Sequence, residues 1–213
     1  MIRFFRLFIV SLSLLYAGPI PAHPHVFVDA GVGFDFDADG RLVALRIIWR
    51  YDAFTSLTLF DILDLDTDGD GQLNDADRAA IVAGETDWAD GYKGDTFMEV
   101  SSVDIALTRP VSGRSWLSND QISVAFRLPL ADPLILDNSV VLRLYDPSYY
   151  YAYDIVSYDD LAPENCLVSL RDFEPDKASS DLQNQLATLS REETPAQPDV
   201  GRLFADEVWL TCG

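Results

Sequence analysis

The chain has 213 residues, 48% of them hydrophobic, and its 35 acidic side chains outnumber 15 basic ones to give a formal charge of −20. Such a surface repels nucleic acid and anionic lipid headgroups and gathers cations, so polyanion binding is excluded as a main activity. The length suits one large domain, or one domain carrying an insertion.

Met1-Ile2-Arg3-Phe4-Phe5-Arg6 is a short basic segment, Leu7 to Tyr16 is apolar, and Ala17 to Ala22 supplies small residues with Pro19 and Pro21. This order predicts a secretory signal peptide over residues 1–22, too short and too soon broken to remain as a membrane span. The mature protein is then expected to be a single periplasmic β-rich domain over residues 23–213. Its formal charge falls to −22, because Arg3 and Arg6 leave with the signal, and no later apolar run reaches membrane length.

The two histidines of the chain, His23 and His25, stand just after that segment. Cleavage after Ala22 makes His23 the first residue, with a free α-amino nitrogen beside its imidazole. From Val26 to Phe36 the even positions read Val26, Val28, Ala30, Val32, Phe34, Phe36, the alternation of a strand with one buried face. His23, His25 and Asp29 are therefore expected on the other face. Neutral imidazole with a nearby carboxylate suits zinc, nickel, cobalt or copper, so these three are the candidate transition-metal ligands. The competing reading is two exposed histidines that merely solvate a chain end.

Asp37-Ala38-Asp39-Gly40 predicts a hairpin turn, and Arg41 to Tyr51 a return strand with Val43, Leu45, Ile47, Trp49 and Tyr51 on one face. At Asp52 the period changes to 3.6: Phe54, Leu57, Leu59, Phe60 and Leu63 predict a helix to about Leu65. Asp75 to about Trp88 predicts a second. Between them lies Asp66-Thr67-Asp68-Gly69-Asp70-Gly71-Gln72-Leu73-Asn74-Asp75-Ala76-Asp77. Its spacing matches an EF-hand calcium loop, with Asp66, Asp68 and Asp70 at positions one, three and five, and Gly71 at six. Gln72 offers its carbonyl, Asn74 binds directly or through water, and Asp77 stands at twelve. Calcium requires six to eight hard oxygens, which such a loop concentrates. Asp77 is one methylene shorter than the usual Glu, which predicts weak calcium affinity or acceptance of magnesium. The bland alternative is an acidic turn.

Phe97 to Val100, Val103 to Leu107, Gln121 to Leu128 and Val140 to Tyr145 predict strands. Pro110 to Gly113 predicts a turn, and Pro129 and Pro133 are expected to end the third of these strands. Tyr145 to Asp154 carries five tyrosines, read mainly as packed sheet surface, with a secondary possibility that Asp146 or a hydroxyl approaches the histidines. Asp176 to Glu193 predicts a surface helix, and Val208 to Cys212 a closing strand. Cys166 and Cys212 are the two cysteines, and an oxidising compartment favours their pairing. The fold class is α+β, mainly antiparallel β and sandwich-like, with an EF-hand-like helical hairpin inserted over residues 54–90.

The segments HPHVFVD, LDTDGDGQL, YDPSYYYAY and VWLTC together resemble a domain-of-unknown-function family of bacterial periplasmic proteins, over nearly the whole mature chain. The resemblance implies a periplasmic component of an uncharacterised transport system that accompanies nickel/cobalt-type inner-membrane permeases or zinc uptake. The expected function is thus a non-catalytic metal-binding accessory protein for an inner-membrane metal permease, with zinc, nickel or cobalt as cargo and calcium in the loop. The alternatives are a copper-binding oxidative protein with an N-terminal histidine site, and a calcium-dependent interaction module. No third histidine exists to serve as a triad base, so hydrolase chemistry is not expected.

Overall fold

In the computed structural model, the structure describes residues 24–158, 162–190 and 193–213. The predicted signal peptide and His23 lie outside the described residues. Among the described residues, ten strands form two five-stranded sheets. The first contains β1 (Val26–Phe36), β2 (Leu42–Tyr51), β5 (Val111–Ser118), β6 (Gln121–Leu134) and β8 (Tyr151–Tyr158), in the order β5-β6-β2-β1-β8. The second contains β3 (Thr96–Val100), β4 (Val103–Asp104), β7 (Val140–Leu144), β9 (Cys166–Arg171) and β10 (Glu207–Cys212), in the order β4-β3-β7-β10-β9. All pairings are antiparallel except β1 with β8. Three α-helices are described: α1 (Ala53–Ile62), α2 (Asp75–Thr86) and α3 (Lys177–Leu186).

The alternation in β1 buries Val26, Val28, Ala30, Val32 and Phe34 and leaves Phe27 exposed. Antiparallel register sets Trp49 opposite Ala30, Ile47 opposite Val32 and Leu45 opposite Phe34, so both strands present apolar side chains to the same side. From the second sheet come Met98, Leu142, Leu144, Val208 and Leu210, which join them in one hydrophobic cluster. The two sheets therefore share a core, as the patterning predicts. Tyr149, Leu186, Val200 and Phe204 form a smaller cluster under α3.

Three expectations need correction. Strand β6 does not end at Pro129 but runs through Pro129 and Pro133 to Leu134. Pro129 lies beyond the last β5–β6 register pair, Val111 with Arg127, and its carbonyl accepts the Thr108 N–H at 2.8 Å, so its missing donor breaks no β5 ladder bond. The expected Pro110 to Gly113 turn is absent: Val111 to Gly113 begin β5, with a register irregularity between Val111 and Arg114 and a positive φ of 57° at Ser112. A Cβ on Gly113 would meet Val82 Cγ1 at 2.4 Å, so the glycine admits α2 against the strand. Both helices of the hairpin are also shorter than expected, and Trp88 lies outside α2, its indole N–H held by the Glu85 carbonyl at 2.6 Å.

Cys166 and Cys212 form a disulfide and stand directly opposite each other in the β9–β10 register. Among the described residues no helix is long and apolar enough to cross a membrane.

Candidate metal-binding loop and the buried tyrosine–carboxylate cluster

Helices α1 and α2 are joined by the acidic loop, and local hydrogen bonds determine its shape. The Asp66 carboxylate accepts the Asp70 N–H at 2.9 Å and the Gly71 N–H at 3.0 Å. Asp70 Oδ1 accepts the Gln72 N–H at 2.8 Å. Gly69 and Gly71 take φ of 69° and 76°, where a side chain would be strained. Asn74 then caps α2 by accepting the Ala76 and Asp77 N–H groups, while Asp77 Oδ2 accepts the Asn74 N–H at 2.9 Å.

These bonds bring one carboxylate oxygen each from Asp66, Asp68 and Asp70 within 4.8 Å of one another. Asp77 is buried and stands outside that group, and Gln72 is exposed. The loop is pinned on both sides, because Leu65 and Leu73 are buried in the core. Three unit charges at such spacing repel by about 1 kcal/mol per pair even in water. Among the described residues this is the one group of three side chains whose ligand atoms are close enough to hold a metal ion.

The histidine end is arranged differently from its expected form. His25 precedes β1, its N–H donates to the Tyr150 carbonyl at 2.9 Å, and its ring lies 4.6 Å from the Tyr150 ring. The tyrosine-rich segment thus meets His25 through the Tyr150 carbonyl and ring. Asp146 shapes that segment by accepting the N–H groups of Ser148, Tyr150 and Tyr151. Asp29, four residues on and about 13 Å away along an extended chain, is bound by the Arg50 guanidinium of β2. No group of three ligating side chains contains His25 or Asp29 among the described residues.

A second cluster lies at the inward-facing tyrosines and went unread in the sequence. Tyr51 donates to Glu85 at 2.6 Å, and Tyr153 donates to Asp95 at 2.8 Å. Asp95 is only 5% exposed, and burial, with Asp146 nearby, pushes its carboxyl up to about 7 despite the hydroxyl donors Tyr153 and Tyr92. Burial likewise raises the Glu85 carboxyl. It raises the phenols too, Tyr151 up to about 12. The cluster is therefore a set of neutral donors sharing two reluctant carboxylates, suited to hydrogen bonding rather than nucleophilic attack. One signal was available: Tyr51 ends an apolar strand face, and a buried phenol requires a polar partner.

The family model described as a protein of unknown function (DUF1007) matches residues 8–212 of the chain. No curated protein matches it.

Proposed function

The chain belongs to this family, whose description assigns no activity, and from its site chemistry we propose a non-catalytic metal-binding accessory protein. It acts in the periplasm and serves an inner-membrane permease for zinc, nickel or cobalt. The observation that carries the metal-binding part is the convergence of Asp66, Asp68 and Asp70 within 4.8 Å between two helices. On this reading the loop is EF-hand-like and takes calcium, with the Gln72 carbonyl and Asp77 completing an oxygen shell. Its role is structural, because repulsion within the loop disappears once an ion sits there.

Transition-metal binding is assigned to His23 and His25, with the α-amino group of His23 as a third donor if cleavage follows Ala22. Asp29 joins only by giving up Arg50, so it contributes less than the spacing suggests. An open, few-ligand site suits a protein that must release its cargo.

Calorimetric titration of the mature protein tests both parts. Calcium heat should vanish in Asp66→Asn/Asp68→Asn and persist in His23→Ala/His25→Ala, while zinc, nickel or cobalt heat should do the reverse. Equal transition-metal binding by the histidine variant removes the transport reading. A mature protein indifferent to calcium and magnesium removes the loop reading.

A further inference from the structure

Helix α1 is packed with its small side inward. Ser56 is fully buried, and its hydroxyl accepts the Ile122 N–H at 2.9 Å on β6. Phe54, Leu57 and Ile62 are exposed by 76%, 68% and 69%. At 100° per residue these three share one outward face, with Thr58 and Asp61 between them. An isolated exposed leucine calls for no explanation, but three large apolar side chains on a single helix face mark a contact surface. Beside them a surface depression of about 600 Å³ is lined by Leu57, Thr58, Phe60, Asp61, Asp64 and Leu65.

The surrounding charge indicates what would cover this face. From Asp52 to Asp77 the chain carries Asp52, Asp61, Asp64, Asp66, Asp68, Asp70, Asp75 and Asp77, and no lysine, arginine or histidine. The apolar surface lies on the helix at Phe54, Leu57 and Ile62, and the depression beside it is lined in part by Asp61 and Asp64 and by no basic residue. A second copy of this chain would bring acid against acid, and an anionic bilayer would be repelled in the same way.

We propose that the exposed face of α1 docks a cationic amphipathic segment of a partner protein, whose apolar side chains cover Phe54, Leu57 and Ile62 while its Lys or Arg side chains meet Asp61 and Asp64. This surface does not depend on the histidine site or on the identity of any transported metal. Such recognition lays the apolar face of an amphipathic helix on an apolar surface, and rim charges set specificity and salt dependence.

The test uses the mature protein in calcium-containing buffer, so that a titratable loop cannot confuse the outcome. Its probes are an amphipathic Leu/Lys helical peptide of about 18 residues and the matched Leu/Glu peptide. The Leu/Lys peptide should bind, and the Leu/Glu peptide should not. Phe54→Ser/Leu57→Ser/Ile62→Ser should weaken binding at least tenfold with thermal unfolding unchanged. Asp61→Asn/Asp64→Asn should weaken it several-fold and flatten its salt dependence. Asp132→Asn/Asp137→Asn, near the far end of β6, should leave it unchanged. Undiminished binding by the triple Ser variant overturns the proposal. So does equal loss in the Asp132/Asp137 control, which would mean unspecific attraction to an acidic protein. Self-association or binding to neutral phosphatidylcholine vesicles through this face, without peptide binding, also overturns it.

Discussion

Replacing Asp95 by Asn should make the protein more stable at pH 8 and change little at acidic pH. Asp95 is buried, and its carboxyl is pushed from 3.8 up to about 7, first by burial and then by Asp146, while Tyr153 and Tyr92 donate hydrogen bonds that only partly offset this. A carboxyl with a raised folded-state value binds its proton more tightly in the folded chain than in the unfolded one. The contribution of Asp95 to stability is then greatest below pH 4, falls as pH rises between 4 and 7, and levels off once both states are ionised. Each pH unit in that window is worth about 1.4 kcal/mol, so the whole penalty is about 4 kcal/mol, of which about 3 kcal/mol accrues between pH 5 and pH 8. Asn keeps an oxygen to accept the Tyr153 hydroxyl and carries no charge to desolvate. For a domain of this size, about 3 kcal/mol corresponds to roughly 6–12 °C in melting temperature. Melting curves of both proteins from pH 5 to pH 8 give the difference directly, and titration of the other carboxylates, common to both chains, cancels. Parallel curves across that range would refute the assignment of Asp95 as a buried, proton-holding carboxyl.

Two further outcomes follow from packing and covalent structure. Cys166→Ser/Cys212→Ser removes a crosslink with a sequence separation of 46, and should cost up to about 4 kcal/mol on the chain-entropy account, read as a lower denaturant midpoint at an altered m-value. Gly113→Ala drives a Cβ to 2.4 Å from Val82 Cγ1 and should cost about 1–3 kcal/mol. Adding Val82→Ala should recover most of that loss. Additive losses in the double variant would show that α2 does not rest on β5 at this point.

The parts of the fold legible in the sequence are those governed by a single local rule. Period-two alternation from Val26 to Phe34 predicts the buried face of β1 because each side chain in a strand has only two sides to choose from. The break at Asp52 is equally local: Asp52 accepts the Thr55 N–H at 2.8 Å and begins α1. Rules about what a residue prevents fared worse. Proline removes a donor, but at Pro129 no neighbouring β5 residue required one, and glycine at 113 relieves a contact with Val82, which is distant in sequence. The helical period in Phe54, Leu57, Leu59, Phe60 and Leu63 predicts the helix correctly but not which side is buried, since Ser56 rather than Phe54 or Leu57 is sealed against β6. Nor does spacing reveal the Tyr153–Asp95 bond, which spans 58 residues. At the candidate site the convergence of Asp66, Asp68 and Asp70 was legible because they are close in sequence, whereas the pairing of Asp29 was not, because its partner Arg50 lies across the hairpin.

The helical hairpin combines two properties that are opposed in a calcium switch. In a switch, ion binding separates two helices and uncovers an apolar surface that was closed before. Here the apolar side of α1 already faces solvent, and the loop is tied to the core at both ends by Leu65 and Leu73. Small side chains hold each helix close to the first sheet: Ser56 of α1 accepts the Ile122 N–H of β6, and Ser115 of β5 donates to the Arg78 carbonyl of α2 at 3.0 Å. Ile81 and Trp88 anchor α2 and the segment after it in the same core as the sheets. Lifting either helix from the sheet would therefore expose that core rather than a hidden docking face. On the proposed reading, an ion at Asp66, Asp68 and Asp70 would have little motion to drive and only local repulsion to relieve, so its effect would fall on the rigidity of the loop, with the outward face of α1 exposed in either state.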